Sequence, residues 1–147
     1  MFRVGALLVA VSLLFLVSCM APDTAKMASV SPRSWSEPAS VVVENVDTLS
    51  LRRISIAVRY NSDFDGTILP LAIKVLAPDG RVFEEEQSFP LRQSGGATVV
   101  SVSESLPYRD DVLLSTSGKY MFVFEPRAEV RGVEAIGVEI LTKNGKR

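Results

Sequence analysis

Histidine is missing from this 147-residue sequence. Its absence removes the commonest general base, the commonest zinc or iron ligand, and any Ser-His-Asp triad. Cysteine occurs once, so no disulfide forms within the chain, and any extracytoplasmic destination must be argued from other features. An excess of one charge is lacking too. Sixteen Lys+Arg face 17 Asp+Glu, a net charge of -1, which leaves no electrostatic footprint for nucleic acid. Nor is there an unbroken run of the roughly 20 apolar residues that a membrane-crossing helix needs. What remains is a chain of one domain's length with 47% hydrophobic residues, enough for a packed core and too many for a disordered chain.

The lone cysteine sits where it has a use. Arg3 is a short positive region, and Val4 to Val17 is apolar except for Gly5 and Ser12, matching the hydrophobic part of a signal peptide. The run ends in Leu16-Val17-Ser18-Cys19, which resembles the lipobox of bacterial lipoproteins. The small Ser18 gives a signal peptidase access to the backbone between Ser18 and Cys19. The Cys19 thiol is the one side chain that forms the thioether to diacylglycerol. Several acyl chains on one terminus, palmitate among them, meet the requirement that stable anchoring takes more than one lipid. Met20 and Ala21 follow the cysteine, and Asp is delayed to position 23. An aspartate directly after the cysteine favours inner-membrane retention, so the order here favours the outer membrane.

The boundaries expected are a lipoprotein signal peptide at 1–18, a lipidated tether at 19–38 and a folded domain at 39–147. Pro22, Pro32 and Pro38 are scattered among Ala, Ser, Thr and Lys, and as flexible coil the tether would reach on the order of 25 Å. Trp35 is expected to pack onto the domain and mark where order begins, because its ring is costly to leave in water.

From Ser40 onward the pattern has period two. Ile54, Ile56, Val58 and Tyr60 make one half-buried strand, and Leu69, Leu71, Ile73, Val75 and Ala77 another. Pro78-Asp79-Gly80 predicts a tight hairpin turn. Arg81 to Phe89 has no clean face and reads as an edge strand. Thr98 to Leu106 is one more strand, and Val112 with Leu114 suggests a short one after it. Tyr120, Phe122 and Phe124, with Met121 and Val123 between them, read as a central strand. The last strand turns Ile136, Val138 and Ile140 inward, with Gly132 and Gly137 marking a bulge. Seven or eight short strands and no helical period predict an antiparallel β-sandwich, with a small β-barrel as the alternative.

Candidate chemistry is sparse. Asn61, Asp63, Asp65 and Gly66 open like a calcium-binding loop, but Ala72 stands where the bidentate Glu belongs, and a solvated turn is the plainer reading. Glu84 and Glu86 share a strand face about 7 Å apart, as an acid–base pair could, but nothing predicts the aromatic-lined cleft such a pair needs, and edge-strand solubility is much the stronger reading. Asp110-Asp111 reads as a turn, and Gly95-Gly96 is too short to cradle phosphate. No catalytic, metal or cofactor site is expected.

Several segments together resemble the gliding-motility lipoprotein GldH family of the Bacteroidetes. They are Cys19, Trp35 ahead of Val41-Val42-Val43, Ile56-Ala57-Val58-Arg59 running into Asn61 and Asp63-Phe64, and Leu71 to Val75 with Pro78-Asp79-Gly80. Gly118-Lys119-Tyr120-Met121-Phe122, Arg131-Gly132-Val133 and Ile136-Gly137-Val138 complete the set. Two features depart from that family: no second tyrosine stands near Phe64, and Gln93 to Thr98 replace a tryptophan-glycine segment. The resemblance implies a non-catalytic accessory component of a gliding or associated secretion apparatus. Its partners would be membrane lipid through Cys19 and other envelope proteins. A surface module binding glycan or peptide is the alternative, and a carboxylate hydrolase is the third class.

Overall fold

A computed structural model describes residues 24–92 and 101–143, so Ser18 and Cys19 lie outside the described residues. Eight strands are present among them: β1 (Thr24–Ser29), β2 (Ala39–Asn45), β3 (Leu51–Tyr60), β4 (Ile68–Leu76), β5 (Val82–Pro90), β6 (Val102–Leu113), β7 (Gly118–Pro126) and β8 (Val133–Thr142). They form two four-stranded antiparallel sheets, ordered β1-β8-β3-β6 and β2-β7-β4-β5. Two separate sheets make this a β-sandwich rather than a barrel.

The period-two pattern does what side-chain alternation requires. In β3, Ile54, Ile56, Val58 and Tyr60 are buried; in β8, Ile136, Val138 and Ile140. Facing them in the second sheet are Leu69, Leu71 and Ile73 of β4, with Tyr120, Phe122 and Phe124 of β7. Each such side chain removed from water contributes about 1.5–3 kcal/mol, an upper value because the unfolded chain already hides some surface. The expected hairpin is present. Ala77 N–H donates to the Arg81 carbonyl at 2.9 Å, and Gly80 N–H donates to the Ala77 carbonyl at 3.1 Å. β5 is the edge strand its mixed faces predicted, and β7 lies inside its sheet between β2 and β4.

Five expectations need correction. Thr24–Ser29, assigned to the tether, is β1, paired along its length with β8 from Thr24↔Ile140 to Ser29↔Ala135. Local pattern could not find it, because what admits β1 is on the partner strand. A Cβ at Gly137 would lie 1.9 Å from the Lys26 carbonyl oxygen, so only glycine lets the two backbones approach. Gly137 therefore serves close approach, whereas the register shift of β8 falls at Glu134, between Arg59↔Ala135 and Tyr60↔Val133.

Trp35 does pack onto the domain, at 3% exposure and bridged to Val130, but order begins before it. Val112 belongs to no separate strand. β6 runs unbroken from Val102 to Leu113, with two extra residues relative to β3 between Pro107 and Val112. Asp110 and Asp111 thus occupy a bulge within a strand, with Asp111 at φ 53. Lys143 holds this bulge, its ammonium 3.1 Å from Asp110 and 2.5 Å from Asp111.

Candidate functional site

The residues singled out from sequence fall in separate places. Asn61 is committed to its turn: its side-chain oxygen accepts from Asp63 N–H at 2.9 Å, and its carbonyl accepts from Phe64 N–H at 3.1 Å. Phe64 is buried edge-on against Tyr60. Glu84 and Glu86 do share the outer face of β5. Glu84 sits opposite Lys74 in the ladder, and Glu86 pairs with Arg127 at 3.1 Å. Among the described residues no group of three or more His, Cys, Asp or Glu side chains could hold a metal ion.

The neighbouring Glu85 turns the other way, into the gap between the sheets where edge strand β5 faces edge strand β6. There its carboxylate accepts from the Tyr108 hydroxyl at 2.5 Å and is bridged by the Arg109 guanidinium. That guanidinium also lies over the Tyr108 ring at 4.9 Å and the Phe83 ring at 5.9 Å. Burial first, then the bond to Glu85, pushes the Tyr108 phenol above its ordinary range, so it remains a neutral donor. Behind this latch is an apolar hollow of about 250 Å³, floored by Ile54, Val75, Val112, Leu114 and Phe122. It is smaller than the roughly 300–1,000 Å³ of small-molecule sites, and suits a single apolar side chain. At the mouth both oxygens of Glu85 are thus engaged, by the Tyr108 hydroxyl and the Arg109 guanidinium.

Sequence reading missed this cluster. Glu85 lies more than 20 residues from Tyr108 and Arg109 and in the other sheet, and only the mixed apolar and acidic faces of β5 hinted at it.

A larger hollow of about 450 Å³ surrounds Trp35, and its lining includes Ser29, Ser31, Ser34, Ser36 and Ser40. The Trp35 ring is buried and its indole N–H donates to the Glu37 carbonyl at 2.7 Å, so it presents no open face for stacking on a sugar.

At the opposite end, where β1 begins, the β2–β3 loop carries two apolar side chains in water: Val46 at 86% exposure and Leu49 at 89%. The loop has a built frame. Asp47 accepts from the Leu49 and Ser50 N–H groups at 2.9 and 3.1 Å; a hydrogen bond from the Ser50 side chain first, then those backbone bonds, hold its carboxyl down at about 2. Buried Arg52 donates to the Asp47 carbonyl at 3.2 Å and reaches the Asn45 side-chain oxygen at 3.4 Å. Asn45, also buried, donates to the Leu114 and Thr116 carbonyls at 2.9 and 3.0 Å.

No protein-family model and no curated protein matches this sequence. Among solved structures, the enzymatically active domain of bacteriophage CBA120 tailspike protein 4 is similar over 82% of this chain and 18% of its own, at 13% identity and a TM-score of 0.33. The infectious bursal disease virus Gt strain structure is similar over 85% of this chain and 44% of its own, at 12% identity and a TM-score of 0.19. The Gx strain structure covers the same shares at 13% identity and 0.20. This chain thus spans less than half of each structure, and likenesses this weak carry no argument about function.

Proposed function

We propose that this protein is a lipid-anchored, non-catalytic module of the bacterial envelope, held through Cys19 to the outer membrane in preference to the inner. It docks other envelope proteins as an accessory component of a gliding-motility or associated secretion apparatus. The observation that carries the reading is positional. Among the described residues all eight strands follow Cys19, and the first opens at Thr24, so cleavage between Ser18 and Cys19 leaves each of them whole. The resemblance to the GldH family supplies the process, and the engagement of Glu85 by Tyr108 and Arg109 speaks for docking over catalysis.

The test is complementation of a deletion strain, with fatty-acid labelling of the product. Cys19→Ala is expected to lose the label and the function. Glu84→Gln and Glu86→Gln are each expected to keep both, since exposed substitutions change stability by only about 0.5 kcal/mol. An unlabelled wild-type protein would end the anchor reading. Function abolished by either glutamine variant would put a carboxylate enzyme in its place.

A second reading, a surface peptide-binding module, is favoured by the apolar hollow behind Arg109. Arg109→Ala would then change peptide binding and leave membrane attachment as it was.

A further inference from the structure

We infer that the β2–β3 loop is a membrane-contact element, with Val46 and Leu49 dipping into the bilayer surface to which the protein is tethered. The inference rests on the lipid-anchor reading and deepens it.

Chain length comes first. With β1 opening at Thr24, five residue steps separate it from Cys19, at most about 18 Å when fully extended. That is shorter than the reach expected of a longer tether, and it holds one end of the sandwich against the lipid surface.

Strand direction decides which end. Thr24 lies beside Ile140 of β8, which lies beside Ile54 of β3, and β1 runs away from that level toward Ser29. The chain before Thr24 therefore enters from the end where β8 and β6 finish and β3 starts. Leu51 opens β3 three residues before Ile54, and residues 46–50 precede it, so the β2–β3 loop projects past Thr24 on this end. It also leaves from β2, the strand of the second sheet that touches β1.

Chemistry separates the loop from its surroundings. Its two large apolar side chains are the most exposed among the described residues, while the frame of Asp47, Arg52 and Asn45 fixes them outward. Across the same end, on the side of β5 and β6, the tips are polar: Asp79 and Arg81 form a pair that Ser115 and Thr116 join. Beside Thr24, Lys26 and Lys119 stand with Glu44, which leaves one net positive charge facing the lipid headgroups, and apolar burial of the loop adds to that attraction. A preformed loop loses little freedom on insertion, and two side chains are too few to hold a protein on a membrane alone. They set the orientation of a domain that the lipid already holds.

Depth-dependent quenching tests this on the full lipidated protein. With Cys19 blocked by its thioether, Leu49→Cys and Ser31→Cys each offer one free thiol for an environment-sensitive fluorophore. Ser31 is exposed at the far end, and both sites are open enough that a label leaves the fold intact. The proteins are reconstituted in vesicles of phosphatidylethanolamine and phosphatidylglycerol, with and without brominated acyl chains. The label at position 49 is expected to shift to the blue and lose intensity with brominated lipid. The label at position 31, and the native Trp35 emission, are expected to stay unchanged. A vesicle-bound protein whose position-49 label remains in water overturns the insertion and leaves the anchor reading standing. Equal quenching at 49 and 31 overturns the fixed orientation. A protein that carries no fatty acid and fails to float with vesicles overturns both.

Discussion

The two ends of the sandwich are built on opposite rules. At the end near Trp35 and Gly132, backbone bonds cross-brace the closure. Gly132 N–H donates to the Pro32 carbonyl at 2.8 Å, Asn61 N–H donates to the Gly132 carbonyl at 2.8 Å, and Trp35 and Val130 exchange bonds at 2.8 and 3.0 Å. Trp35, Phe64 and Val130 are buried there as a lid on the core. At the other end the closure is a polar plug, Asn45 and Arg52, and the large apolar residues of the loop stand outside it. One end spends its apolar surface on stability. The other leaves that surface available for something else, so substitutions at the two ends should differ sharply in cost.

The largest effect is expected at the braced end. Gly132 has φ 86, and a Cβ there would lie 2.2 Å from the Phe64 backbone nitrogen. Gly132→Ala should cost about 3 kcal/mol or more, read as a lowered urea midpoint, because both backbone strain and a backbone clash must be relieved. A loss under about 1 kcal/mol would mean that this end yields easily and that the contrast is false.

Next comes the plug at the opposite end. Asn45→Ala removes the donor to two carbonyls and strips Arg52 of a partner, although the Arg52 Nε atom already lacks one. The expected cost is about 1–3 kcal/mol by the same measurement. It should also raise hydrogen exchange at Leu49 and Ser50, whose N–H groups depend on the loop frame.

Tyr60 gives a smaller, pH-marked effect at the braced end. Its hydroxyl donates to Glu104 at 2.7 Å and lies 2.7 Å from the Arg92 carbonyl. Burial first, then the bond to Glu104, raises the phenol from 10.0 to about 12. A folded-state value above the unfolded one contributes stability that is whole below pH 10 and is lost as pH rises from there through about 12. The melting temperature of the native protein should therefore fall across that window. Tyr60→Phe should be less stable near neutrality by about 1 kcal/mol, and its decline above pH 10 should be shallower. Parallel curves for the two proteins would assign the alkaline loss to other groups.

The smallest effect belongs to the exposed loop. Leu49→Ser should leave the melting temperature of the detergent-solubilised protein within the shift of about 0.5 kcal/mol expected of an exposed site. A loss beyond about 1 kcal/mol would show that Leu49 packs on the domain, and the two ends would then follow one rule.

Much of the fold was legible because period two is a local property. Ile54 to Tyr60, Leu69 to Ala77 and Tyr120 to Phe124 announce their strands without outside help, and Pro78-Asp79-Gly80 announces the only connection among the described strands that stays within one sheet. What escaped depends on distant partners. β1 has no apolar alternation of its own and exists through β8 and the bare backbone of Gly137. Asp110-Asp111 has the composition of a turn, yet Arg53 and Lys143 stabilise it as a bulge. The mouth of Glu85, Tyr108 and Arg109 assembles only when two edge strands from different sheets meet. The proposed lipobox, by contrast, rests on adjacent residues alone, Leu16-Val17-Ser18-Cys19, which lie outside the described residues.

The pairing of β1 with β8 also carries a consequence in time. Within its sheet, β1 has no other neighbour, so the first strand finds its place only beside the last. Synthesis and export deliver a chain from its N-terminus, and a contact across nearly the whole sequence waits on the end of delivery. Thr24–Ser29 thus stays out of the sheet until β8 emerges. On the lipid-anchor reading proposed above, an enzyme acting on Cys19 would meet a free peptide, and the sandwich would close after that terminus had been processed.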